Sequence, residues 1–171
     1  MTKRRARIYD ALMALVIIII VGIDQWTKAQ VIEHLSPPDS GPQIHLIGQY
    51  LVLLYTRNNG MAFTLFTNSI ILIVLILVAI VIISSLYVRI LNTGSLPLKL
   101  FFGLIMGGAL GNLISRAQHG GYVIDFIAFR IPQIGFYFAI FNIADAAICI
   151  GACLFLVIVL SGNLRHAPAT T

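Results

Sequence analysis

The sequence predicts a mainly α-helical integral membrane protein, in which four transmembrane helices carry a small extracytoplasmic β-sheet and loop region. Three observations predict it. The 171-residue chain is 59% hydrophobic and only 10% charged, with a mean hydropathy of +0.97, whereas a soluble domain of this size needs a far more polar surface. Its apolar residues gather into runs long enough to cross a hydrocarbon core of ~30 Å. Its basic residues stand near the ends of those runs. That arrangement encodes topology rather than a binding face, so the formal charge of +5 makes no case for nucleic acid. No internal repeat divides the chain, which reads as one domain over 1–171.

The first span is expected at roughly 9–31. Residues 3–22 have the basic start and apolar run of a signal peptide, but no A-x-A cleavage site follows, so the segment reads as a retained helix. The second span, 68–88, carries no charge. The third, roughly 97–115, is short and bounded by Lys99 and Arg116, which are expected to snorkel toward the headgroups. The fourth covers roughly 141–162. Lys3, Arg4, Arg5 and Arg7 orient the N-terminus to the cytoplasm. Arg89, Lys99 and Arg165 fall on the same side, so both termini are expected there. Lys28, Arg57, Arg116 and Arg130 are left on the other.

Between the spans lie two outer loops, roughly 32–67 and 116–140. The first holds the turn cluster Ser-Pro-Pro-Asp-Ser-Gly-Pro and then the strand-like Tyr50–Thr56. The second holds Gly120-Gly121 and then Tyr122–Ile131, rich in β-branched and aromatic residues. A small sheet resting on the membrane surface accommodates both.

Only six Asp and Glu occur in the chain, and a carboxylate near a bilayer is costly unless paired or functional. Asp125 and Asp145 flank one loop, where a fold can bring them together to share a proton and activate water. Asp24 and Lys28 are spaced for an i,i+4 ion pair. Asn58-Asn-Gly60 is a turn signal, and its Asn58 is also a candidate to orient a substrate carbonyl or a carboxylate. Gly103, Gly107 and Gly111 form a small-residue helix face; Gly108, Asn112 and Arg116 form the adjacent one. A buried amide at Asn112 needs partners. Asn142-x-x-Asp145 has the form of a capping box. Cys149 and Cys153 read as small packing residues, and the four scattered His and the absence of H-E-x-x-H argue against a metal site.

Five segments together, Asp24-Gln-x-Thr-Lys28, Asn58-x-Gly60-x-Ala62-Phe63, Gly107-Gly-Ala-x-Gly-Asn112-x-x-x-Arg116, Val123-x-Asp125-Phe-Ile and Phe141-Asn-x-Ala-Asp145, resemble the bacterial lipoprotein signal peptidases (signal peptidase II), over nearly the whole chain. The resemblance implies an aspartic endopeptidase with Asp125 and Asp145 as the catalytic pair. It implies supporting or substrate-binding roles for Asp24, Lys28, Asn58, Gly60, Asn112, Arg116 and Asn142. The implied substrate is a diacylglyceryl-modified prolipoprotein, cut just before its lipidated cysteine. The enzyme is then expected in the bacterial inner membrane, surrounded by lipid, as a monomer, with its active site on the extracytoplasmic side and no metal or cofactor. Two departures stand out: Ser115 and Ala128 occupy positions where the family commonly has acids, and Ser115 removes a partner for Arg116. The rival readings are a small four-helix transporter, which needs an acid deep in a span, and a non-catalytic membrane assembly factor.

Overall fold

The computed structural model describes residues 3–60 and 95–161, together with Val74, Leu77, Val78, Val81 and Ser85. Those five are helical and exposed. The rest of the expected second span, 68–88, lies outside the described residues, as do Ala62 and Phe63 of the second motif.

Three helices among the described residues are long and apolar enough to cross a membrane. Helix α1 (Lys3–Leu35) has 33 residues, about 50 Å of rise. It therefore exceeds a ~30 Å core by several turns. Helix α2 spans Leu96–Gln118 and α3 spans Ile143–Leu160. The expected third and fourth spans thus form, each within a few residues of its expected limits.

Helix α2 is the centre of the bundle, and its glycines decide how closely it is approached. A Cβ at Gly103 would come within 3.1 Å of Val16, and one at Gly107 within 3.0 Å of Ile20. A Cβ at Gly111 would meet the Asp24 carboxylate at 2.7 Å. This stripe therefore lets α1 lie against α2 along three turns. One residue round the helix, Gly108 faces the backbone carbonyl of Ala144 on α3. The two faces read from the spacing thus receive two different helices.

Neither Lys99 nor Arg116 snorkels. Lys99 is fully buried and pairs with Asp10 of α1, and Arg116, in the last turn of α2, is 9% exposed. The expectation fails because the partner of Lys99 comes from a helix distant in sequence, which spacing alone does not reveal. Cys149 and Cys153 are likewise not packing residues: both are free thiols on the exposed side of α3.

The outer turns of α1 carry the sheet. Strands β1 (Ile44–Ile47), β2 (Leu51–Asn58), β3 (Val123–Ile131) and β4 (Phe136–Tyr137) form an antiparallel meander in that order. Val31 and Leu35 of α1 pack with Tyr55, Ile124 and Phe126. Strand alternation then turns Asp125 to the opposite face from Ile124 and Phe126. Gly120 and Gly121, with φ of 65° and 101°, make the tight turn from α2 into β3, a conformation that glycine adopts without strain.

A bulge in β2 completes the arrangement. Leu53 pairs with Ile127 but Thr56 with Asp125, so β2 holds one extra residue. Val52 faces the core opposite Ala128; without the extra residue, Thr56 and Asn58 would face it too. The bulge shifts them onto the face of Asp125.

Candidate active site

The site forms where β3, the N-terminus of α3, the outer third of α2 and the outer turns of α1 meet. Asp125 is 1% exposed. Its Oδ2 accepts from Asn58 Nδ2 at 2.8 Å and its Oδ1 from Asn142 Nδ2 at 2.6 Å. Asp145 sits in the first turn of α3, where its Oδ1 accepts from Asn112 Nδ2 at 2.8 Å. The Asn142–Asp145 capping box forms: the Asp145 amide donates to Asn142 Oδ1 at 2.9 Å, and the Asn142 amide to Asp145 Oδ2 at 3.2 Å. Capping therefore fixes the Asp145 carboxyl and the Asn142 side chain together.

Three asparagines set the polarity of this network, and each is oriented by a donor of fixed position. The Gly60 amide, at φ 80°, donates to Asn58 Oδ1 at 2.8 Å, so the Asn58 NH2 must face Asp125. The Asp145 amide holds Asn142 Oδ1, so its NH2 faces Asp125 as well. Lys28 Nζ donates to Asn112 Oδ1 at 3.1 Å, leaving the Asn112 NH2 for Asp145. Ammonium and backbone donors have one sense only, so these orientations are not interchangeable.

Beneath the dyad, Asp24 and Lys28 are both buried and 2.8 Å apart. The expected ion pair forms, and it does more than neutralise charge. Asp24 Oδ1 accepts from the Ala144 amide at 3.0 Å. That N–H lies in the first turn of α3, where no intrahelical acceptor exists. A carboxylate of α1 thus caps α3 one residue before Asp145, and Gly111 provides the room for it.

Gln25 was not singled out from the sequence, although it stands inside the first motif. Its Nε2 donates to Asp24 Oδ2 and to the Gly111 carbonyl, each at 2.9 Å, and to Ser115 Oγ at 3.4 Å. Ser115, one of the two departures noted in the sequence, is thereby a buried hydrogen-bond acceptor. Ala128, at the other departure, packs opposite Val52. Arg116 lies in the electrostatic reach of Asp145 and Asp125. Its Nη1 makes a long 3.4 Å contact to the Asn112 carbonyl, and its buried Nε has no hydrogen-bond partner among the described residues.

Burial pushes the Asp125 carboxyl up to about 6. The hydrogen bond from Asn58 opposes the shift, the neighbouring Asp145 adds to it, and Asn142 and Lys28 oppose it. Asp125 can therefore hold a proton near neutrality while Asp145 is fixed beside it, the asymmetry that general acid–base chemistry needs. An apolar cavity of about 440 Å³ opens beside Asp145, lined by Phe138, Phe141, Ala146, Cys149 and Ile150. Among the described residues, no cluster of His, Cys, Asp or Glu has the arrangement of a metal site.

The fold and sequence have known counterparts. Residues 16–161 match the family model described as signal peptidase (SPase) II. The chain is 37% identical over 146 residues to the lipoprotein signal peptidase of Chlorobium phaeobacteroides (strain BS1), covering 81% of this chain and 89% of that protein. It is 38% identical over 141 residues to that of Halothermothrix orenii, covering 82% and 89%. A solved structure described as a bacterial membrane enzyme obtained by the in meso method superposes with a TM-score of 0.78 at 26% identity, over 94% of each chain. A second so described gives 0.77 at 27% identity, over 88% of this chain and 93% of the other.

Proposed function

The chain belongs to the signal peptidase II family, aspartic-type membrane peptidases that remove signal peptides from prolipoproteins, and from that premise we propose that Asp125 and Asp145 are its catalytic dyad. Family membership sets aside the transporter and assembly-factor readings. The observation that carries the assignment is Asn142: one side chain donates to the Asp125 carboxylate and caps the helix turn that holds Asp145. Two carboxyls tied through a single amide are held at a fixed separation, as a shared proton requires.

In this reading Asp125 carries the proton and polarises the scissile carbonyl, while Asp145 takes a proton from the attacking water. Electrons from water form the new C–O bond, and the tetrahedral intermediate collapses with cleavage of the C–N bond as Asp145 passes the proton it took from water to the leaving amine. Arg116, whose Nε has no hydrogen-bond partner among the described residues, stabilises the charge that develops on the carbonyl oxygen, a role suited to a preorganised donor in a water-poor site. Asn58, Gly60, Asn112 and Asn142 orient the dyad, and Asp24 and Lys28 hold Asn112 and the start of α3.

The substrate is a prolipoprotein whose cysteine already bears a diacylglyceryl group, cut just before that cysteine. The apolar cavity beside Asp145 supports this, since acyl chains can lie against Phe141, Cys149 and Ile150 while the peptide bond reaches the carboxyls. The active end of the bundle is extracytoplasmic and both termini are cytoplasmic, in an inner membrane. Exposed Leu46, Ile47, Ile134, Tyr137 and Phe138 support a sheet resting in the membrane interface, where aromatic side chains are favoured.

The test is processing by reconstituted wild type, Asp125→Asn and Asp145→Asn, with a diacylglyceryl-modified prolipoprotein and an unlipidated control. The expected result is loss of at least about 10³-fold in each folded variant, and no cleavage of the control. A variant that keeps near-normal cleavage removes its aspartate from the dyad.

A further inference from the structure

A second cavity, of about 210 Å³, is lined by Asp39, Gln43, Leu54, Tyr55, Thr56 and Ile140, among others. Its position relative to Asp125 follows from the strand register. Thr56 is the direct partner of Asp125 across β2 and β3, so the two side chains share a face about 5 Å apart. An extended peptide advances about 3.3 Å per residue. The cavity is therefore one to two residues from a bond held at the dyad. Ile140 lines this cavity, while Phe138 and Phe141 of the same segment line the apolar one. That segment thus borders both a largely apolar compartment that reaches Asp145 and a more polar one that holds Asp39.

Asp39 gives the polar compartment its chemistry, and it is held firmly. Its amide donates to the Tyr55 carbonyl at 2.7 Å, and Thr56 Oγ1 donates to its Oδ1 at 2.6 Å. Its backbone is left-handed, with φ 64°, an uncommon conformation for which Asp is one of the better-suited residues. The loop beneath is tightly closed: a Cβ at Gly41 would lie 2.6 Å from the Pro37 carbonyl oxygen. The second oxygen of the Asp39 carboxylate has no hydrogen-bond partner among the described residues. Arg57, the basic residue next to Thr56 in β2, lies over the Tyr122 ring at 4.8 Å and is also within the electrostatic reach of Asp39.

We propose that this Asp39–Gln43–Thr56–Ile140 cavity is the subsite for the residue following the lipidated cysteine, and that it favours hydrogen-bond donors or cations over acids. The inference rests on the peptidase reading above. Two portions of polypeptide leave the scissile bond. The signal-peptide side is apolar and stays among the helices, whereas the mature side must run outward into water, over the loop that carries Asp39. A volume of 210 Å³ holds a side chain with some accompanying water, at about 30 Å³ per water.

The test uses diacylglyceryl-modified peptides identical except for Lys, Ser or Asp after the cysteine, with wild type, Asp39→Asn and Thr56→Val. Wild type is expected to process the Lys and Ser peptides about three- to tenfold better than the Asp peptide in kcat/KM, the range for charges several Å apart near a surface. The difference should lie mainly in KM and shrink at high salt. Asp39→Asn should bring the three peptides within about twofold of each other in kcat/KM. Thr56→Val, which frees the carboxylate without removing it, should weaken the preference but keep its sign. Equal processing of all three peptides by wild type, or a preference unchanged in Asp39→Asn, overturns the subsite and leaves the peptidase standing. Failure of wild type to cleave any lipidated peptide overturns the peptidase reading itself.

Discussion

Two lysine–aspartate pairs lie toward opposite ends of the helix bundle, and they are built differently. At one end Lys99 of α2 pairs with Asp10 of α1; the lysine is fully buried but the Asp10 side chain is 47% exposed. At the other, Lys28 and Asp24 are 2% and 0% exposed, and they reach beyond each other to Asn112 and to the Ala144 amide. The first pair fastens two helices. The second ties three helices to the proposed catalytic carboxyl of Asp145. A buried charge pair is a poor stabiliser taken alone, because desolvation offsets most of the attraction. Its place beside Asp145 therefore points to orientation rather than stability.

Alanine substitutions separate the two roles most sharply. Asp24→Ala strands Lys28 in the interior and leaves the Ala144 amide without its acceptor, and should cost about 3–5 kcal/mol of stability. Activity per folded enzyme should fall at least about 100-fold. Asp24→Asn keeps an acceptor for the Ala144 amide but turns an NH2 toward Lys28 and Gln25, and should fall between. Asp10→Ala also takes a partner from a buried lysine and should cost stability by the same mechanism, but it should leave kcat per folded enzyme unchanged. Thermal unfolding in detergent alongside processing rates measures both. Equal activity losses at Asp10 and Asp24 would remove the distinction.

The glycines of α2 extend the comparison from charge to packing. Gly108→Ala directs a methyl group at the Ala144 carbonyl, which belongs to a helix backbone and cannot turn aside. The first turn of α3 must shift with Asp145, and a displacement approaching 1 Å is enough to cost about 100-fold in rate. Gly103→Ala meets the Val16 side chain at 3.1 Å and the Met13 carbonyl at 3.2 Å, far from the dyad. It should slightly weaken α1–α2 packing and leave turnover within about twofold. Similar kinetic losses in both variants would mean that the dyad tolerates movement of α3.

Much of this site was legible in the sequence because its parts are local. Asp24–Lys28 is a one-turn spacing, Asn142–Asp145 is a capping box, and the α2 glycines repeat every four residues. Both strand-like stretches form strands, with β1 and β4 added at the edges. The long-range consequences were not legible. That Asp24 caps a helix 120 residues away, that Lys99 finds Asp10, and that Cys149 faces a cavity all depend on which helices become neighbours. The bulge between Leu53 and Thr56 is the clearest case. Alternation read along β2 assigns Asn58 to the core face, and only the extra residue, seen in the pairing with β3, delivers it to Asp125. Asp39 was hidden for a similar reason: in sequence it belongs to a turn cluster, and only the fold sets it beside Thr56.

The smallest expected effect asks whether Asn58 tunes Asp125 or merely touches it. An N–H donated to a carboxylate stabilises the ionised form, so Asn58 holds the Asp125 value below where burial alone would set it. If catalysis needs Asp125 protonated, kcat/KM in the free enzyme is maintained below an apparent value near 6 and falls as pH rises through it. Asn58→Ala removes a bond of the kind worth about 1.5 kcal/mol to a charged acceptor, equivalent to about one pH unit. The alkaline limb should therefore move upward by up to about one unit, even as the rate at its plateau drops. Asn142 opposes the shift from the other oxygen, but its replacement also uncaps α3, so only Asn58 gives a clean reading. A limb that stays in place would assign the shared proton to Asp145, and a limb that moves down would show that Asn58 stabilises the protonated acid instead.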